Sequence, residues 1–354
     1  MYMIKVDVKI IAIGISCLIF SGCSNESKEP VERIPDPIVL DSPETWIDSE
    51  ESEMMMVFNV DIAPSEEIVI TDPGLKKILL FDTTGKEITR FGNEGRGPGE
   101  FVDLTRFLVF QDHFYIGDRS LNRINRYNLA GEFMDNIDYR THRGSFGEIA
   151  LTDETSYVSA SMGDEGSLIK WFNPVTDSSV YWGTAKGEPY IMGDLAIQND
   201  ILKRGEIPPI DINDVKLTSD GTSVYAYLTA HGLLQKYSTE GELLWEKDVN
   251  IPVNEFIFED AVRRAGENNM PGTMASFSYI TSFKVLDGDV YILSFPYEGH
   301  PRTLLRINEF GTVTGHFHIP EPQRLYFDIT VNTKTQTIYL TAPEIGEVHQ
   351  VKLK

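Results

Sequence analysis

Three features predict an all-β chain, a six-bladed β-propeller with four-stranded antiparallel blades. Apolar and polar residues alternate with a period of two, as at Tyr225 and Tyr227, Leu243 and Trp245, and Ile338 and Leu340. Turns are marked by pairs ending in glycine. A unit of strand, turn and strand recurs along the 354 residues. A repeat of roughly 40–50 residues with four short strands fits a propeller blade, which cannot bury both faces without its neighbours.

The N-terminus comes first. Lys5 and Lys9 precede an apolar run from Ile10 to Phe20, which then meets Ser21, Gly22 and Cys23. The run is too short for a bilayer, which takes about 20 apolar residues. A basic region, a short apolar region and small residues before a cysteine make an export signal over 1–22. It resembles a bacterial lipoprotein signal, in which Cys23 is lipidated and becomes the new N-terminus. An ordinary cleaved signal is the competing reading. Cys17 and Cys23 are the two cysteines, and Cys17 lies within the signal, so the mature chain has no internal disulfide. Residues 23–36, rich in acidic side chains and proline, read as a solvated tether. Residues 37–354 then form the propeller.

Two copies of the repeat align at an offset of 46: residues 68–85 and 114–131. Each holds an apolar strand, an aspartate (Asp72, Asp118), a basic residue before isoleucine (Lys77, Arg123), an aromatic (Phe81, Tyr127) and a glycine (Gly85, Gly131). Weaker copies start at Tyr157, Val224, Val290 and Ile338. Blade one is expected to have strands Met54–Asp61, Glu67–Thr71, Lys77–Asp82 and Lys86–Phe91. Blade two takes Leu104–Phe110, His113–Gly117, Arg123–Asn128 and Glu132–Asp138. Blades three, four and five cover 146–182, 211–249 and 278–319. Blade six starts near Leu325, and the sequence ends after its third strand. Either Ile38–Leu40 or the stretch through Trp46 and Ile47 is expected to pair with the last C-terminal strand and close the ring, because an unpaired edge invites aggregation.

The stretch FGNEGRGPGEF at 91–101 joins blade one to blade two. It lacks the Lys-Ser/Thr of a phosphate loop and the glycine spacing of a dinucleotide site, so it reads as a linker with Phe91 and Phe101 as anchors. This link, with the Asp72 and Asp118 turns, resembles NHL-type repeats. The mature chain is similar to the six-bladed, TolB-like propeller lipoproteins of bacteria. That resemblance implies the fold and a place in the cell envelope, in the outer membrane on its periplasmic or surface face. It implies a peptide, glycan or protein ligand without naming one.

In an up-and-down blade the B–C turns and D–A links emerge on one side. The insertions at 183–210 and 252–277 are D–A links, the second with helical character over 255–268, and the long turn at 294–302 is a B–C turn. Loops on a rigid scaffold are where binding resides, so this rim is the expected ligand face. Its candidate residues are Arg96, Glu100, Asp118, Arg119, Tyr190, His231, Tyr297, Glu298, His300 and Arg302. For Asp72 and Asp118 the plainer expectation is a turn cap, and for His231 and His300 a surface position. Arg263 and Arg264 read as a solvated helix face. His316 and His318 share a strand face, the spacing of a two-histidine metal pair, with no third ligand evident.

Removing Lys5, Asp7 and Lys9 with the signal takes the formal charge from −23 to −24. Such a chain repels phosphate backbones, which excludes nucleic acid as a partner. It also needs acyl chains rather than surface charge to stay on a membrane. Sequence signatures of hydrolases and of catalytic cysteines are missing. The expectation is a monomeric binding or scaffold module without catalytic residues or cofactor. The alternative is a divalent-ion-dependent hydrolase, lactonase-like or esterase-like, or a lyase. It would hold calcium in the channel through the inner ends of the A strands: Asp103, Glu148, Asp211, Asn213 and Asp328.

Overall fold

The computed structural model describes residues 34–140, 148–190, 193–268, 270, 272–320 and 324–354. The signal, Cys23 and the tether up to Arg33 lie outside the described residues, as do parts of both insertions. The described residues form a six-bladed β-propeller, each blade a four-stranded antiparallel sheet whose strands A to D run outward from the axis. Among them, no helix is long and apolar enough to cross a membrane.

Blade one contains Val60–Ile62, Ile68–Asp72, Lys77–Phe81 and Glu87–Phe91. Its A strand is shorter than expected, because the Met55 and Met56 N–H groups turn to the Asp72 carboxylate at 2.6 and 3.2 Å. Blade two follows the expected bounds closely, with Leu104–Phe110, His113–Asp118, Arg123–Asn128 and Phe133–Asp138. Blade three is Ile149–Leu151, Tyr157–Ala160, Ile169–Asn173 and Ser178–Trp182. Blade four is Val215–Ser219, Ser223–Leu228, Leu233–Ser238 and Leu243–Asp248. Blade five is Ile280–Leu286, Asp289–Ser294, Arg302–Ile307 and Val313–Ile319.

Blade six takes Ile329–Asn332, Thr337–Ala342 and Glu347–Lys352 from the C-terminus and Glu44–Ile47 from the other end of the chain. That N-terminal strand pairs antiparallel with the C-terminal one, Thr45 opposite His349. Trp46 fixes it by packing 4.6 Å from Tyr339 and 6.2 Å from Phe81, so it reaches across to blade one. Of the two closing segments the sequence offered, the one through Trp46 completes the ring. Ile38–Val39 instead runs parallel to the outer strand of blade five, opposite Phe317 and His318.

The core is divided among the blade interfaces. One apolar cluster joins blades one and two through Val69, Ile78, Phe107 and Phe114. Others join each next pair around the circle, ending with Val348 and Tyr339 of blade six against Ile68 and Leu79 of blade one. The B strands are buried along their length because both faces are covered by neighbours. Burying a Val, Leu, Ile or Phe side chain contributes about 1.5–3 kcal/mol, so a blade without a neighbour loses most of its stabilisation.

Candidate functional site

Two aspartates fasten the rim of the first two blades. Asp118 is fully buried and accepts from the backbone N–H groups of Val102 at 2.7 Å, Asp103 at 3.3 Å and Leu121 at 3.0 Å. Asp72 does the same with Met55, Met56 and Leu75. Each carboxylate thus caps its own B–C turn and also holds the backbone that leads into its blade's A strand.

The glycine-rich link is built in the same way. The Glu100 carboxylate turns inward and accepts from Gly97 N–H at 2.6 Å, and Phe101 is fully buried. Arg123 donates to the carbonyls of Gly97 and Glu100, both at 2.7 Å, and to that of Arg96 at 3.4 Å. Gly95 has φ +153°, and a Cβ there would lie 2.1 Å from Glu100 Oε2. The loop is folded on its own carboxylate, which leaves no cradle for a phosphate.

The two insertions meet over blades four and five. Residues Leu195–Lys203 form a helix capped by Asp194, whose side chain accepts from Ala196 N–H. Residues Val253–Glu267 form a longer one. Leu202, Ala261, Ala265 and Ala275 pack between them. Small residues on the second helix permit that close approach. Asn199 completes the seam, donating to Ala265 O and accepting from Ala275 N–H, each at 3.0 Å. On the outer side, Phe256 lies 4.4 Å from the His300 ring and 6.5 Å from that of Tyr297, which are 5.4 Å from each other. Phe256 and Phe295 remain exposed at 42% and 37%. The long B–C turn and the second insertion therefore form one aromatic shelf.

Other candidates fall elsewhere. Tyr190 is buried in the core between blades three and four. Arg302 is fully buried, donating to Tyr326 O at 2.7 Å and Thr281 Oγ1 at 3.0 Å, while Nε and Nη1 have no partner. Burial pushes its guanidinium down to about 9. Asp118, Tyr190 and Arg302 are thus not open to a ligand on the rim. A position beside a turn suggested exposure, but strand and loop geometry turns these side chains inward. His231 is half-buried with Nε2 2.9 Å from Ile212 O. Arg119 pairs with Asp103 at 3.4 Å. Arg96 and Glu298 are exposed. His316 and His318 have rings 5.0 Å apart, and His316 Nδ1 is 2.7 Å from Pro35 O, so main chain at Pro35 takes up that nitrogen.

A channel of about 700 Å³ runs along the axis, lined by the A strands of all six blades. Charged residues form two triads there. Glu148 sits between Arg106 at 3.0 Å and Lys216 at 3.5 Å. Burial opposes its ionised form, yet the two cations outweigh that and hold its carboxyl below the usual range. Lys284 sits between Asp328 at 3.0 Å and Asp61 at 3.4 Å, and donates to Val60 O. Burial opposes its charge, and the two carboxylates reverse that, so its ammonium is held above the usual range. The sequence reading named Glu148 and Asp328 but missed Asp61, Arg106, Lys216 and Lys284. Aligning A strands across blades would have found them, since each blade places a charged residue on the lumen.

Most of the donors expected to hold calcium have partners within the protein. Glu148 is shared by two cations. Asp328 is saturated by Lys284, Ser282 Oγ at 2.6 Å and Val60 N–H at 3.2 Å. Asp103 is paired with Arg119. The Asn213 side chain holds the backbone of Lys186, Gly187 and Glu188. Among the described residues, no three His, Cys, Asp or Glu side chains converge as metal ligands. Asp211 is half-buried, and its buried Oδ2 has no partner among the described residues. Burial first, and Asp214 second, push its carboxyl up to about 7.

A family model described as 6-bladed beta-propeller matches residues 49–165. The chain is similar to the solved structure of a Bacteroides fragilis protein described as exported, at 11% identity and a TM-score of 0.53, over 92% of this chain and 94% of that one. It is also similar to virginiamycin B lyase from Staphylococcus aureus, at 12% identity and a TM-score of 0.45, over 84% of this chain and 80% of that one. At these identities the likeness is one of fold. No curated protein matches.

Proposed function

We propose that this chain is a monomeric binding module of the bacterial cell envelope, tethered by a lipid on Cys23, that captures a peptide, glycan or partner protein on the side bearing the insertions. One observation carries the reading. Two insertions from successive D–A links are locked together through Asn199 and a small apolar seam, and Phe256 of the second stacks with Tyr297 and His300 of the long B–C turn, which also leaves Phe295 exposed. Ordering two insertions and leaving phenylalanines in water both cost free energy, and exposed apolar patches of this kind mark interaction surfaces. Aromatic faces suit apolar side chains and the C–H faces of sugars alike.

The test is a labelled mature chain on peptide and glycan arrays, beside the variant with both Phe256→Ala and Phe295→Ala. These side chains are exposed, so the variant should melt with the parent. Capture should fall by about tenfold or more, the scale of one lost aromatic hot spot. Unchanged capture would overturn the shelf as the ligand face. The tether is checked separately: radiolabelled palmitate should enter the parent and not Cys23→Ser.

A further inference from the structure

The channel charges have an arrangement that ring stability alone does not require. Blades two, three and four contribute Arg106, Glu148 and Lys216, two cations about one carboxylate. Blades five, six and one contribute Lys284, Asp328 and Asp61, two carboxylates about one cation. The two triads thus carry opposite net charge. Asp214 also lines the channel beside the first triad, where it accepts from Thr229 Oγ1 at 2.9 Å and where burial raises its carboxyl above the usual range.

Each triad has one member with bonding capacity to spare. An ammonium has three donors, and among the described residues Lys216 makes one ion pair, the 3.5 Å contact to Glu148. Asp61 Oδ1 accepts from Ile62 N–H at 2.9 Å and Thr330 Oγ1 at 3.4 Å, which leaves Oδ2 with the 3.4 Å contact to Lys284. Asp328 is satisfied on both oxygens by contrast. The volume, about 700 Å³, falls within the roughly 300–1,000 Å³ of small-molecule sites and is too small for a folded partner. Thr105 and Thr218 add neutral hydroxyls to the lining.

We infer that the channel is a second binding site, separate from the rim, which takes a small zwitterion of the amino-acid or short-peptide kind. Its carboxylate lies towards Lys216 and Arg106, and its ammonium towards Asp61. A ligand of one sign gains at one wall and loses at the other, whereas a zwitterion gains at both. Enclosure in a channel of low dielectric strengthens each contact relative to bulk water.

The experiment is calorimetric titration of the mature chain in detergent with the twenty standard amino acids and with alanyl-alanine. The N-acetylated and C-amidated forms of each binder follow. The expected result is at least one binder with Kd at or below about 1 mM, weakened about tenfold or more by either cap. Lys216→Met should abolish the penalty for amidation, and Asp61→Asn the penalty for acetylation. No binding by any member at about 10 mM, or capped forms binding as well as free ones, overturns the inference and leaves the triads as a device that holds the ring. The capped series needs no variant, so a variant that fails to fold does not remove the test. Phe256→Ala should leave these titrations unchanged, which separates this site from the shelf.

Discussion

Asn199 donates to Ala265 O and, with its other amide atom, accepts from Ala275 N–H, so one buried side chain joins two insertions 66 residues apart. Asn199→Ala leaves both backbone groups without a partner. Each unmet buried group costs about 1–3 kcal/mol. The loss should stay local. Hydrogen exchange should speed up over 253–277, while the ring's own amides keep their protection. Uniform deprotection would mean that the insertions belong to the ring's cooperative unit.

Asp118 and Asp72 each hold three backbone N–H groups. Asp118→Ala should cost about 2–4 kcal/mol, given the price of unmet buried donors, and Asp72→Ala a similar amount. Urea unfolding measures both. A change under about 0.5 kcal/mol, the ordinary range for surface substitutions, would show that water replaces the carboxylate without loss.

Trp46 is half-buried against Tyr339 and beside Gly85. Trp46→Ala should lower stability by about 2–4 kcal/mol, at or just below the usual cost of removing a buried tryptophan. Because the strand closes the circle, the thermal transition should also broaden. An unchanged melting curve would place closure elsewhere.

Asp211 gives a pH dependence of definite sign. Its carboxyl titrates near the ordinary 3.8 when unfolded and is raised to about 7 when folded. Between those values the folded state binds the extra proton. Stability from this group is therefore full below about pH 4 and is lost as the pH rises through about 7, by at most about 1.4 kcal/mol per unit. Asp211→Asn should flatten that slope and be the more stable protein at pH 8. A variant with the parent's slope would refute the assignment.

Lys284→Met removes the cation shared by Asp61 and Asp328. Breaking a buried pair typically costs about 3–5 kcal/mol. The two carboxylates left facing each other would take up protons more readily when folded. The variant should therefore regain stability as the pH falls below about 5, where such groups titrate. Denaturant midpoints at pH 4 and pH 7 decide it.

The ring was legible because its signals are local. Asp72 and Asp118, with Gly85 and Gly131 behind them, repeat at one offset and give two blades nearly to the residue. The A strand of blade one was overdrawn because the Asp72 carboxylate takes the N–H groups of Met55 and Met56, which no local pattern reveals. The pairing of charges across the channel was illegible for a related reason. Lys284 and Asp61 are 223 residues apart and meet only once the circle exists. Arg302 was misplaced because an arginine beside a proline-containing turn looks solvated, whereas its strand turns it between blades five and six.

Thr45 of the closing strand is made 302 residues before Glu347 of its partner. Chain emerging in order must keep the first strand waiting, unpaired, until that partner is made. Contacts so distant in sequence slow folding and prolong exposure to aggregation. During that interval blade six has a bare edge and blade one has an uncovered side. A chain cut short before Glu347 would leave the circle open and both of those surfaces bare.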